Sequence, residues 1–244
     1  MRSFSLDNIN NMIYTHFNSD LVPSAEQPFI EQLFAYKNFE KSDRLLGYSK
    51  GRGITWFLNA QPELGRDIVL RHYYRGGLFG KFIKDQYWFH SFAQTRAAQE
   101  FNLLKQMHQW GLPVPQPIAF QIEKYHCYYR AEIMIEKIPN TQDLSKLLQQ
   151  APLPLAQYHQ IGKVIRAMHD RQVCHTDLNI HNILLDEKGQ CWLIDFDKCK
   201  IQPNDAWKKD NLNRLLRSFH KEQTRLGIHF NETDWQAICE GYGE

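Results

Sequence analysis

The sequence predicts an α+β protein in two parts, a small antiparallel sheet carrying one helix over residues 1–138 and a reduced, mainly helical part over 139–244. Two observations lead there. Between residues 51 and 75, two β-branched and aromatic runs, Ile54 to Leu58 and Ile68 to Tyr73, flank the turn-rich NAQPELG, the pattern of a hairpin that follows a glycine-containing loop. Beyond the break at Pro139 and Asn140 the apolar spacing turns helical, and Leu155, Tyr158, Ile161, Ile165 and Met168 fall on one face.

The elements follow in order. A helix is expected over Ser91–Trp110, with Ser91 accepting from first-turn amides and Gly111 and the prolines at 113, 115 and 117 stopping it. Ala93, Ala97, Leu104 and Met107 would form its apolar stripe, with Glu100 in the middle. Strands are expected at Pro117–Ile122 and Cys127–Ile138, then a short helix at Asp143–Gln150 before the long amphipathic one. Val173 to Phe196 carries two small apolar strands, INILL and QCWLI, around the turn DEKG. No repeat or low-complexity segment interrupts the chain.

Composition excludes several functions. A hydrophobic fraction of 43% supports a sizeable core, and 29 basic against 27 acidic residues leave a net charge of +2, so a bulk polyanion such as nucleic acid is not the expected partner. No apolar run approaches the roughly 18 residues that span a bilayer, and no secretory leader is expected. The five cysteines include no C-x-x-C pair and are expected as reduced thiols.

The chemistry is concentrated in HTDLNIHN, His175 to Asn182. Asp177 lies two residues after the histidine and Asn182 five after the aspartate, the H-R-D-L-x-x-x-N spacing of a kinase catalytic loop with Thr176 in place of arginine. Further on, Asp195 ends the apolar LID and is followed by Phe196, the company of a D-F-G metal ligand, although Asp197 replaces the glycine. Phosphoryl transfer needs a carboxylate to take the acceptor's proton and hard oxygen ligands for Mg²⁺. Asp177 fits the first role, Asn182 and Asp195 the second. Upstream, IVLRHYY places Arg71 where V-A-I-K places lysine, making Arg71 the candidate nucleotide-phosphate contact. A carboxylate within an apolar stripe needs a partner, so Glu100 is expected to pair with Arg71. Gly51 and Gly53 stand in G-x-G register, with Trp56 at the third glycine's place; amides from Gly51 to Ile54, with Arg52 adding charge, would cover phosphates. His169, His175 and His181 do not have zinc-ligand spacing and read as structural.

Taken together, HTDLNIHNILL, LIDFDKC, GRGITWFL, VLRHYYRGG and the helix bearing Glu100 resemble the lipopolysaccharide Kdo (3-deoxy-D-manno-octulosonic acid) kinases of Gram-negative bacteria, from about Gly47 to about Ser218. The resemblance implies a protein-kinase-like two-lobed fold and ATP- and Mg²⁺-dependent phosphorylation of the 4-hydroxyl of a Kdo residue. The acceptor would be a lipid A precursor at the cytoplasmic face of the inner membrane, with Asp177 as base. No A-P-E follows Asp195, so no protein substrate is expected. Arg75 to His90 interleaves Phe79, Phe82, Ile83, Trp88 and Phe89 with Arg75, Lys81 and Lys84, a mix that suits either an anionic membrane surface or packing under the strands. Two competing functions stay open: another small-molecule phosphotransferase of the aminoglycoside or choline type, and a nucleotide-binding pseudokinase.

Overall fold

The computed structural model describes residues 2–6, 11–51, 53–75 and 85–243. It is a mixed α/β chain with antiparallel sheets and seven α-helices among the described residues. Arg52 and residues 76 to 84, with Phe79, Lys81, Phe82, Ile83 and Lys84, lie outside them. The chain clusters into two compact units: Met1–Lys105 with Gln116–Ile138, and Gln106–Pro115 with Pro139–Glu244.

The first unit contains β1 (Arg2–Leu6), β2 (Asn11–Phe17), α1 (Gln27–Ala35), β3 (Leu45–Lys50), β4 (Ile54–Leu58), the single turn α2 (Gln61–Leu64), β5 (Ile68–His72), β6 (Tyr87–Trp88), the first part of α3 (Arg96–Gln109), β7 (Pro117–Tyr125) and β8 (Tyr128–Glu136). The strands form one antiparallel sheet in the order β1-β2-β7-β8-β5-β4-β3, with β6 added alongside β8. Strand alternation gives the sheet two faces. On one, Trp56, Leu58, Ile68, Leu70 and Met134 bury against Ile30, Leu33 and Phe34 of α1. On the other, Phe101 of α3 meets His16 and Phe120 edge-on at 5.1 and 5.2 Å.

The hairpin β4–β5 forms with Thr55 opposite Arg71, and NAQPELG makes the turn α2, closed by Gly65 at φ 65°. Helix α3 differs from expectation at its start. Phe92–Gln94 is a separate 3₁₀ turn, Ser91 makes no side-chain cap bond, and Ala93 is exposed. The α-helix begins only at Arg96, after Thr95 has turned its hydroxyl back to the Phe92 carbonyl at 2.7 Å. Its C-terminal end follows the sequence signal: Gly111 adopts φ 75° and the Leu112 N–H reaches back to the Met107 carbonyl. The first 50 residues, for which periodicity suggested no element, supply β1, β2, α1 and β3.

The second unit contains β9 (Thr141–Asp143), α4 (Leu144–Gln150), α5 (Leu155–Asp170), β10 (Val173–Cys174), β11 (Ile183–Asp186), β12 (Cys191–Leu193), β13 (Lys200–Ile201), α6 (Ala206–Leu226) and α7 (Glu232–Tyr242). Asp143 caps α4 by accepting from the Lys146 amide. On α5 the apolar face buries Tyr158, Ile161, Ile165 and Met168, whereas Leu155, in the first turn, is exposed. Helices α5 and α7 approach at a pair of glycines. A Cβ on Gly162 would lie 2.1 Å from the Ile238 carbonyl oxygen, and one on Gly241 would lie 2.1 Å from that of His159. Only residues without a Cβ permit that backbone separation. Strand β11 lies between β12 and β9, and this small sheet carries the loop described next.

Candidate active site

His175 to Asn182 connects β10 to β11, and its geometry follows from one buried histidine. His175 is fully buried; its Nε2 lies 3.0 Å from the Ile194 carbonyl, and its Nδ1 accepts from the Asp177 N–H at 3.3 Å. A ring that accepts at Nδ1 and donates at Nε2 is neutral, and burial pushes its pKa down, in the same direction. Asn182 then closes the loop. Its Nδ2 donates to the Asp177 carbonyl at 3.0 Å, and its own carbonyl accepts from the Ile194 N–H at 3.0 Å. Asp177, Asn182 and the residue preceding Asp195 are thus linked within one unit, the first two by the Asn182 side chain and the last two by a backbone hydrogen bond.

Each of the three side chains has a different setting. Asp177 keeps 59% of its side chain exposed, with one hydrogen-bonding partner for its carboxylate among the described residues, Arg214 Nη1 at 3.4 Å. Asn182 is 9% exposed, with Nδ2 engaged and Oδ1 left as an oxygen donor. Asp195, two residues beyond β12, adopts φ 63°, a left-handed conformation that aspartate tolerates better than most residues. An amide oxygen and a carboxylate are the hard donors that Mg²⁺ prefers, and two of them suffice when a nucleotide's phosphates complete the octahedron. The residues present therefore fit that ion.

The departures from the kinase pattern acquire local reasons. Asp197 has no left-handed backbone, which falls instead on Lys198 at φ 63°, so no glycine is required at 197. Thr176, in the arginine's place, donates its hydroxyl to the Asp197 carbonyl at 3.3 Å and its amide to Cys199 Sγ at 3.4 Å, fastening the loop to the segment after Asp195. Sequence reasoning missed the helix that holds the loop from the other side. Asn211, Arg214 and Ser218 of α6, spaced three and four residues apart, meet the loop at the His175 carbonyl, the Asp177 carboxylate and the Ile180 N–H. A polar stripe on an otherwise apolar helix face was the available signal.

In the first unit, Arg71 and Glu100 meet. Arg71 Nη2 lies 2.6 and 2.7 Å from the two carboxylate oxygens, and Glu100 is 2% exposed. Tyr73, absent from the expected site, adds a 2.7 Å hydroxyl bond to Glu100; burial and then the Glu100 charge raise its pKa well above the ordinary value. Gly51 and Gly53 form a tight turn between β3 and β4, and the Gly51 N–H is already bonded to the Gly53 carbonyl at 2.9 Å. Neither has positive φ. Gly53 is required for another reason: a Cβ there would lie 1.9 Å from the ring of Tyr74. Trp56, at the third glycine's place, is core, packed against Phe39 and Tyr48. The three histidines have structural partners; His169, for instance, bonds Asn211 and Tyr242.

The model of the lipopolysaccharide kinase (Kdo/WaaP) family matches residues 38–242. The chain belongs to that family. It is 48% identical over 230 residues to the 3-deoxy-D-manno-octulosonic acid kinase of Mannheimia succiniciproducens, covering 93% of this chain and 94% of that protein. It is 46% identical to the protein of that name from Pasteurella multocida, covering 94% and 98%, and 47% identical to that of Haemophilus influenzae, covering 99% of each. As a member of this kinase family the chain is a phosphotransferase with a hydroxyl acceptor. Among the described residues no helix is long and apolar enough to cross a membrane.

Proposed function

We propose that this family member is an ATP- and Mg²⁺-dependent sugar kinase that phosphorylates the 4-hydroxyl of the Kdo residue on a lipid A precursor, using a protein-kinase-like two-lobed fold with an N-lobe over 1–138 and a C-lobe over 139–244. The observation that supports the reading is the catalytic loop: Asp177 has an exposed carboxylate, and its main-chain carbonyl is tied through Asn182 to the residue that precedes Asp195. Asp177 orients the acceptor hydroxyl and takes its proton as that oxygen bonds to the γ-phosphorus of ATP and the bond from phosphorus to the β,γ-bridging oxygen breaks, releasing ADP. Asn182 and Asp195 would hold Mg²⁺, which neutralises charge on the nucleotide phosphates. In the first unit, Arg71 contacts nucleotide phosphate, and Glu100, with Tyr73, fixes the guanidinium for that contact. Gly51 and Gly53 let the turn's backbone approach the nucleotide.

Near full-length identity to proteins named as Kdo kinases supports the acceptor. A lipid-linked acceptor places the work at the cytoplasmic face of the inner membrane, as a peripheral protein. The mixed basic and aromatic segment from Arg75 to His90 supports contact with anionic lipid. Of its described aromatics Trp88 is 54% exposed, whereas Phe89 packs edge-on against Phe92 and Tyr129. The deciding experiment measures ATP consumption with and without Mg²⁺ in the presence of Kdo-lipid A precursor, an aminoglycoside or choline. Mg²⁺-dependent turnover with the Kdo acceptor alone is expected; turnover with either other acceptor identifies a different small-molecule kinase, and none with any of the three indicates a pseudokinase.

A further inference from the structure

The loop that presents Asp177 is gripped by α6 at three points, and the middle one is unlike the others. Asn211, 5% exposed, donates to the His175 carbonyl at 2.6 Å and accepts from His169 at 3.0 Å. Two turns further along, the Ser218 hydroxyl accepts from the Ile180 N–H at 3.1 Å while donating to the Leu215 carbonyl at 2.7 Å. These contacts fix both helix and loop. Arg214 stands between them, at the edge of solvent, with 48% of its side chain exposed. Its one hydrogen bond among the described residues is the long one, 3.4 Å from Nη1 to Asp177 Oδ1.

A guanidinium has five N–H donors in a planar fork, so Arg214 has spent one, weakly, and four remain. Loop anchoring is already supplied by Asn211 and Ser218. Arg214 therefore places an underused cation in contact with the group assigned as base. An anion is the natural occupant, and three could arrive there: a phosphate of the nucleotide, a phosphate of a lipid-linked acceptor, or a carboxylate of the acceptor sugar. The Mg²⁺ ligands assigned above come from the β11 and β12 side of the loop, whereas Arg214 comes from α6. The relatives named above are named for an octulosonic acid, a sugar that carries a carboxylate at C1, a short way along the carbon chain from the hydroxyl at C4. A hydroxyl on Asp177 and a carboxylate on Arg214 would be bound side by side.

From this geometry we infer that Arg214 forms the carboxylate subsite of the acceptor, engaging the sugar acid through its fork and thereby setting the acceptor hydroxyl on Asp177. The inference rests on the Kdo reading above and adds the residue that selects an acidic sugar. It also provides discrimination: an aminoglycoside or choline brings positive charge, which an arginine beside the base repels.

The test compares a Kdo glycoside acceptor with its C1 carboxamide, which is uncharged and of similar shape, in the full-length wild type and in Arg214→Met and Arg214→Lys. Charge-assisted hydrogen bonds of this kind correspond to about 10- to 100-fold in kcat/KM. The wild type is expected to prefer the acid by that factor. Arg214→Met should abolish that preference, losing on the acid the same factor beyond whatever the lost Asp177 contact costs on the amide, and keep the KM for ATP; Arg214→Lys, with a point charge in place of a fork, should recover part of the preference. Equal losses on acid and amide would make Arg214 a structural or base-positioning residue and overturn the inference. A raised KM for ATP would reassign it to the nucleotide, and a preference that persists in Arg214→Met on a soluble acceptor but disappears on a phosphorylated lipid acceptor would reassign it to lipid phosphate. Wild-type transfer to neither acid nor amide, with transfer to another alcohol, would overturn the acceptor reading itself and the subsite with it.

Discussion

Asn182 donates its side-chain amide to the main-chain carbonyl of Asp177 across 3.0 Å. The bond fixes which end of the amide faces the loop, so Oδ1 is the end left for a metal ion. Asn182→Asp is expected to keep an oxygen ligand but to set a carboxylate against the Asp177 carbonyl, two acceptors with no proton between them. Mg²⁺·ATP affinity should stay within a few-fold while turnover falls about tenfold or more, from the roughly 1–3 kcal/mol of an unsatisfied buried group. Nucleotide titrations at several Mg²⁺ concentrations, with kcat measured alongside, check this; affinity lost together with turnover would mean that the ligand, not the loop, had been damaged.

The Arg71–Glu100 pair should be strongly coupled, because one partner is fully desolvated. Glu100→Gln and Arg71→Met are each expected to destabilise the protein by about 3 kcal/mol and to lower turnover, since each removes one charge of a pair whose carboxylate is fully buried. The double variant should lose less than the sum, with a coupling of about 1–3 kcal/mol in urea unfolding. Additive losses would mean that the pair is not made in solution.

The two loop glycines should behave differently. Gly51→Ala meets no atom within 4 Å and is expected to alter stability by no more than about 0.5 kcal/mol. Gly53→Ala drives a methyl into the Tyr74 ring and should cost about 1–3 kcal/mol, relieved in Gly53→Ala/Tyr74→Leu. Thermal unfolding of the four proteins decides it, and equal effects at both glycines would contradict the packing.

How far the sequence revealed this molecule depends on whether its signals were local. The spacing within HTDLNIHN and the turn at DEKG are fixed within a few residues, and the structure places that loop between β10 and β11 and that turn between β11 and β12. The Arg71–Glu100 contact was legible because a carboxylate in an apolar stripe requires a cation, and Arg71 was the one a strand could present. By contrast, α3 was begun too early. Ser91 has the chemistry of a cap, yet Thr95 turns the chain first and the Ser91 side chain makes no cap bond. β2 and α1 escaped notice because Asn11–Phe17 mixes apolar and polar residues without clean alternation, and Pro28 lies in the first turn of α1. Arg214 was missed because its partner lies 37 positions away along the chain; the polar stripe of Asn211, Arg214 and Ser218 marks a face of α6 without saying what that face meets.

Acid should weaken the second unit. Burial lowers the pKa of His169 to about 4, although its bond to Asn211 favours the proton, and burial lowers that of His175 as well. Both histidines are neutral when folded and gain a proton more readily when unfolded. Their contribution is therefore complete above about pH 6.5 and is lost as pH falls from there toward 4, with His169 alone accounting for about 3 kcal/mol. Urea unfolding at pH 7, 5.5 and 4.5 should show the decline, and His169→Gln should flatten it. A wild-type profile that stays level over this range would contradict the buried, neutral assignment.

The account depends most on Asp177 as the group that accepts the acceptor's proton. The direct test is the rate of phosphoryl transfer from Mg²⁺·ATP to a Kdo-lipid acceptor by the wild type and by Asp177→Asn, with ATP affinity measured on the same preparations. Removing the carboxylate while keeping its shape should slow transfer by about 10² to 10⁴ and leave ATP binding and unfolding unchanged. Transfer by Asp177→Asn at close to the wild-type rate would contradict it.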